Sequence, residues 1–195
     1  MKVIGLTGGI ASGKSTASAY LRELGAVIVD ADAISRASTR RGGAAFEAVC
    51  AAFGNILGAD GEIDRRKLGG IVFVDEEARR KLNSIVHPAV MAESRAQIEN
   101  ARASGVKMCI LDVPLLFETG MEKLCDETWL IYVPREEQIR RMAERDGLDA
   151  AAAAARIDSQ MPLEEKLKRA DVAIDSSGTI EQTREKLRRL WEERT

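Results

Sequence analysis

Five short apolar runs punctuate the chain, at 3–6, 26–29, 107–111, 129–133 and 172–174. They are rich in β-branched residues and do not alternate with polar ones, as expected for strands buried on both faces. The segments between them carry apolar residues at helical spacing. This alternation predicts an α/β fold, a parallel sheet of about five strands flanked by helices. Between the second and third runs, residues 33–104 are almost entirely helical in pattern, with turn signals at Arg41-Gly42-Gly43 and Gly58-Ala59-Asp60-Gly61. One crossover helix needs far less chain, so this stretch is expected to be a helical insertion that builds an acceptor pocket. Within it a helix starts at 64–68, and another is interrupted at 85–88, where Pro88 disfavours helical geometry at His87. The last helix, 180–194, carries a packing stripe of Ile180, Thr183, Leu187, Leu190 and Trp191.

In parallel sheets ligands bind beyond the carboxyl ends of the strands. After the first run comes Gly8-Gly9-Ile10-Ala11-Ser12-Gly13-Lys14-Ser15-Thr16, the Gly-x-x-x-x-Gly-Lys-Ser spacing of a P-loop between a strand and a helix. Gly8 and Gly13 permit dihedrals that aim successive N–H groups at phosphate oxygens, and the following helix adds its positive end. Lys14 supplies charge at the β- and γ-phosphates, and the Ser15 hydroxyl is a ligand for magnesium. After the second run, Asp30 reads as a helix cap. Asp32, with Arg36 beyond it, is the candidate base or orienting group for an acceptor hydroxyl. Asp112 closes the third run, where a Walker B carboxylate coordinates magnesium, usually through water. The loop that follows, Pro114-Leu115-Leu116-Phe117, has an apolar face expected to turn toward the insertion.

The helix 135–146 places Arg141 and Arg145 four apart on one face, beside Arg140; such a pair is favoured when an anion lies between them. A second helix runs through the alanine tract 150–155 with Arg156 and Gln160, and ends at Met161-Pro162. The two, joined at Gly147, are expected to form a mobile lid that brings arginines to transferring phosphates. The loop Ser176-Ser177-Gly178 is placed to line an adenine. His87, the only histidine, is either a structural residue at a kink or a ligand contact.

Composition narrows the field. The chain's 195 residues suit one substantial core with insertions, and 29 basic against 31 acidic residues leave no global field for nucleic acid. Three irregularly spaced cysteines suit a reducing compartment rather than a disulfide or zinc site. With no apolar run of spanning length and the P-loop reached by residue 8, neither a membrane nor a signal peptide is expected, and a cytoplasmic protein is.

These residues together resemble the dephospho-coenzyme A kinases. The resemblance runs through the P-loop, Val29-Asp30-Ala31-Asp32 with Arg36, Asp64-Arg65 to Val72-Phe73, Ile85 with His87-Pro88, and Pro114 to Glu118. It continues through Gln138, Arg141, Arg145, Arg156, Gln160, and Ala170-Asp171 to Gly178. It implies a P-loop kinase fold with a nucleotide-binding core (1–31, 105–134, 170–195), a helical acceptor insertion (32–104) and a lid (135–169). It implies transfer of the γ-phosphoryl group of ATP, with magnesium, to the ribose 3'-hydroxyl of dephospho-coenzyme A. Gly8, Gly9 and Ala11 to Thr16 would hold ATP. Asp32, Arg36, His87, Pro114 and Leu115 would meet the acceptor, and Lys14, Asp32, Arg141 and Arg145 would carry catalysis. A monomer or weak homo-oligomer is expected. Three places depart from the pattern: Ala11 stands for a usual glycine, Ser176-Ser177 for an asparagine pair, and Ser38-Thr39-Arg40-Arg41 is atypical. The alternatives are another small P-loop kinase acting on a nucleoside monophosphate, and a slow nucleotide-hydrolysing switch. The switch is disfavoured by the lack of an Asn-Lys-x-Asp guanine-reading pattern.

Overall fold

A computed structural model describes residues 1–195. The chain begins β1 (Lys2–Gly8), α1 (Lys14–Glu23), β2 (Val27–Asp30) and α2 (Ala31–Ser38). Three more helices follow: α3 (Phe46–Phe53), α4 (Arg65–Val72) and α5 (Glu76–Ala103). Then come β3 (Met108–Asp112), β4 (Glu127–Tyr132), α6 (Arg135–Asp146), α7 (Ala150–Asp158), α8 (Leu163–Arg169), β5 (Val172–Asp175) and α9 (Ile180–Glu192). The five strands form one sheet in the order β2-β3-β1-β4-β5, with β1 parallel to β3 and β4, and β4 parallel to β5. The expected α/β architecture is present.

The chain divides into two compact units, one of Met1–Val29 with Ile98–Thr195 and one of Asp30–Gln97. In the first, Ile4, Leu6, Met108, Ile110, Trp129, Ile131 and Ile174 of the sheet are buried with Ala17 and Leu21 of α1 and Leu187 of α9. Burial of the leucine, isoleucine and methionine side chains, each worth about 1.5–3 kcal/mol, drives assembly of the layer. The stripe of α9 is narrower than its sequence pattern: Thr183 and Leu187 are buried, whereas Ile180 in the first turn is 55% exposed.

Glu127 ties this unit together. Arg194 Nε donates to both carboxylate oxygens, at 2.8 and 3.0 Å, and Trp129 Nε1 donates at 2.9 Å. The Arg194 hydrogen bonds, with those of Trp129 and Lys2, hold the Glu127 carboxyl at about 2, below its ordinary 4.5. A depressed folded value stabilises the fold above pH 4.5, and this contribution disappears as pH falls toward 2. Glu127→Gln is therefore expected to lower the unfolding free energy on the order of 2 kcal/mol at pH 7 and to leave it nearly unchanged near pH 2. Urea titrations at the two pH values measure this; an equal loss at both would contradict it.

The second unit is helical, as expected. Asp30 caps α2, accepting from Ala33 N–H at 2.9 Å, and Asp64 caps α4 through Arg66 and Lys67 N–H. Between α3 and α4 the turn at 58–61 is closed by an antiparallel bridge of Leu57 with Ile63. The expected interruption at 85–88 is absent, because α5 runs unbroken through Pro88. Proline removes one backbone hydrogen bond, but Val86, Val90, Ser94, Ile98 and Ala101 are all buried at helical spacing and keep one face of the helix packed. Helix-breaking chemistry is local here and burial prevails. No helix is long and apolar enough to cross a membrane.

Candidate active site

The P-loop leaves β1 at Gly8 and enters α1 at Lys14. A Cβ on Gly8 would lie 2.5 Å from Ser12 Oγ and 2.7 Å from the Ile131 carbonyl, so no side chain fits there. Gly13 has φ +85°, the left-handed region that glycine enters without strain. Ser12 N–H closes the turn onto Gly9 O at 3.2 Å. The first helical bond is Ala17 N–H to Gly13 O, so the N–H groups of Lys14, Ser15 and Thr16 have no intrahelical acceptor. Those donors and the helix dipole together make an anion cradle.

Three successive carbonyls of the loop are tied back by side chains from other elements. Gln138 Nε2 of α6 donates to Ile10 O at 2.8 Å, Arg141 Nη1 to Ala11 O at 3.3 Å, and Ser176 Oγ to Ser12 O at 2.6 Å. Arg141 Nη2 also donates to Ser176 O at 2.8 Å. Since carbonyl and N–H point oppositely across a peptide plane, holding the carbonyls on one side directs N–H groups to the other.

Ala11 is the one residue other than glycine at positive φ, +58°. A left-handed alanine costs about 1–2 kcal/mol, against which glycine loses more chain entropy, about 0.5–1 kcal/mol. Ala11→Gly is expected to raise the thermal midpoint by about 1–3 °C with activity retained, as read by thermal denaturation. A lowered midpoint would contradict the strain.

Asp112 closes β3, is 7% exposed, and forms an ion pair with Lys14 Nζ. Beyond it, Val113 N–H bonds Leu6 O at 3.0 Å and the Pro114 carbonyl accepts from Thr7 Oγ1 at 3.0 Å. The apolar residues of this loop do not share one face. Leu116 and Phe117 are buried, Leu116 packing at Gly5 of β1, and Leu115 is 40% exposed.

Of the candidate pair Arg141 and Arg145 on α6, only Arg141 reaches the P-loop. Its Nε bonds Glu137 at 2.7 Å, and the hydrogen bonds from Arg140 and Arg141 hold the Glu137 carboxyl at about 2. Arg145 instead bonds Asp146 at 2.8 Å and is exposed. Gly147 ends α6 at φ +66°, and the segment holds three helices rather than two.

In the second unit, Asp32 is exposed in the first turn of α2, with Arg36 one turn further along the same face. His87 is half-buried, and burial holds its imidazole below the ordinary range. It lines a cavity of about 850 Å³ with Arg40, Arg65, Leu68, Val72 and Phe73. The atypical 38–41 segment thus contributes Arg40 to this wall. Sequence reading gave no role to Arg40 or Arg65, and placed Gln138 only by resemblance. Gln138 lies three residues before Arg141, the spacing of one helical face.

A P-loop at the end of the central parallel strand, an ion-paired carboxylate closing the next strand and an arginine on the loop define a P-loop kinase. The dephospho-CoA kinase family model matches residues 2–182, and a dephospho-CoA kinase of Carboxydothermus hydrogenoformans is 54% identical over 96% of this chain and 91% of its own length. The chain belongs to the dephospho-CoA kinase family. The solved structures agree. A Thermus thermophilus protein superposes with TM-score 0.83 at 36% identity, covering 100% of this chain and 98% of its own. A dephospho-CoA kinase from Campylobacter jejuni superposes with TM-score 0.68 at 30% identity, covering 100% and 97%.

Proposed function

We propose that the chain transfers the γ-phosphoryl group of ATP to the ribose 3'-hydroxyl of dephospho-coenzyme A, releasing coenzyme A and ADP. The observation that carries this reading is a fully formed P-loop with its Lys14–Asp112 pair in a chain matched by the family model over residues 2–182. Residues 1–31, 105–134 and 170–195 form the nucleotide core, 32–104 the acceptor insertion and 135–169 the lid. The cavity of the second unit supports the acceptor assignment: Arg40 and Arg65 suit anionic groups, and Leu68, Val72 and Phe73 suit an apolar arm. Pro114 and Leu115 are further acceptor contacts implied by the family resemblance. Three free cysteines fit a cytoplasmic setting.

Gly8, Gly9 and Ala11 to Thr16 hold the phosphates through backbone N–H groups. Lys14 places its ammonium against charge that grows on the equatorial oxygens as transfer proceeds. Arg141, which donates to the P-loop backbone, and Arg145, at the end of α6, are the lid arginines that would meet the transferring phosphate. Asp32 orients the acceptor hydroxyl and accepts its proton, which a loose transition state releases late. The Ser15 hydroxyl and Asp112 carboxylate are hard oxygen donors, the type magnesium requires, and Asp112 is already oriented by Lys14. When bound there, the metal neutralises charge on the β- and γ-phosphates.

The test is ADP release from magnesium-ATP with and without dephospho-coenzyme A, beside a panel of nucleoside monophosphates. Stimulation by dephospho-coenzyme A alone is expected. Stimulation only by a monophosphate would reject the substrate, and acceptor-independent hydrolysis would reject the kinase.

A further inference from the structure

We propose that Lys166 is a positioning residue for phosphoryl transfer, holding the segment that follows Asp112 between α8 and β1. The proposal deepens the kinase reading and rests on it. The Lys166 side chain is 1% exposed, while its neighbour Lys168 on α8 is 69% exposed. Its Nζ lies 3.0 Å from Glu118 Oε1 and donates to the Pro114 carbonyl at 3.4 Å. Taking an ammonium out of water is costly, and an apolar side chain of similar length would fasten a helix to a core at least as well. A buried lysine therefore points to a task that needs its charge and its donors.

The acceptor atoms indicate the task. The Pro114 carbonyl lies two residues beyond Asp112, and its other donor is Thr7 Oγ1 of β1, a fully buried residue next to the first glycine of the P-loop. Glu118 Oε1 also accepts from Met161 N–H at 3.1 Å, in the turn before α8. The 113–118 segment has no strand or helix ladder of its own. Buried Leu116 and Phe117 anchor its far part, with Arg169 of α8 over the Phe117 ring, while the Pro114 carbonyl next to Asp112 is held by Thr7 of β1 on one side and by Lys166 on the other. Asp112 meets Lys14 at the start of this segment, so α8 acts on the phosphate-binding pair through a short stretch of backbone. Lys166 also lines a cavity of about 470 Å³ whose wall includes Gly9 and Gln138, both at the P-loop.

Two variants of the full chain test this: Lys166→Met, and Lys166→Met with Glu118→Gln, which leaves no partnerless carboxylate. For both, kcat, the KM values for ATP and dephospho-coenzyme A, the thermal midpoint and hydrogen exchange over 113–120 are measured beside the unsubstituted protein. Misplacement of catalytic groups by about 1 Å costs on the order of 100-fold in rate, so kcat is expected to fall about 10- to 100-fold in both. The KM for ATP should stay within about threefold, exchange over 113–120 should quicken, and the double variant should melt at or above the unsubstituted midpoint. Recovery of kcat in the double variant alongside its midpoint would overturn the proposal in favour of a purely structural ion pair. Unchanged kcat in the single variant would also overturn it while the unsubstituted protein turns over normally. Failure of the unsubstituted protein to use dephospho-coenzyme A would instead overturn the kinase reading, and this role with it.

Discussion

Lys14→Ala is expected to lower turnover by about 1,000-fold or more, the largest single loss in the chain. One neutral donor aimed at developing charge is worth on the order of 100- to 1,000-fold, and an ammonium is stronger. The same substitution strips Asp112 of its ion-pair partner at 7% exposure. A stability loss of about 1–3 kcal/mol should accompany the loss of rate. Single-turnover assays and a urea titration on one preparation separate the two effects. Near-normal transfer would remove the P-loop from the mechanism.

Asp32→Asn is expected to lower kcat by about 100- to 1,000-fold, the range for a positioned proton acceptor, with the KM for ATP changed by less than about threefold. The amide keeps the shape of the carboxylate and loses its charge, so the split between kcat and KM is informative. Large loss of ATP binding with normal turnover would reject the acceptor-side role and make Asp32 part of the nucleotide site.

The P-loop and the strand ends around it were legible because their signals are local. The glycine spacing of 8–13, the apolar strand before it and the carboxylate at Asp112 each lie within a few residues, and the fold places them as strand end, turn and helix start. The Asp30 cap follows the same logic and is present. What sequence did not convey depends on tertiary contact. Gln138 and Ser176 grip P-loop carbonyls from 128 and 164 residues away, and no periodicity marks such a bond. Lys166 sits in Glu164-Glu165-Lys166-Leu167-Lys168, which reads as a solvated helical face, yet it is the one charge there that is buried. Pro88 misled for the complementary reason: a strong local rule yields when the whole helix has a buried stripe. The strain at Ala11 shows how a departure from the usual glycine acquires meaning only when φ is known.

The most direct measurement is the identity of the phosphorylated product. Magnesium-ATP and dephospho-coenzyme A are incubated with the protein, ADP is counted against coenzyme A formed, and the position of the new phosphate is read by phosphorus NMR. One ADP per coenzyme A, with the phosphate on the ribose 3'-oxygen, is the predicted result. ADP without a phosphorylated acceptor, or a phosphate on any other oxygen, would contradict the account.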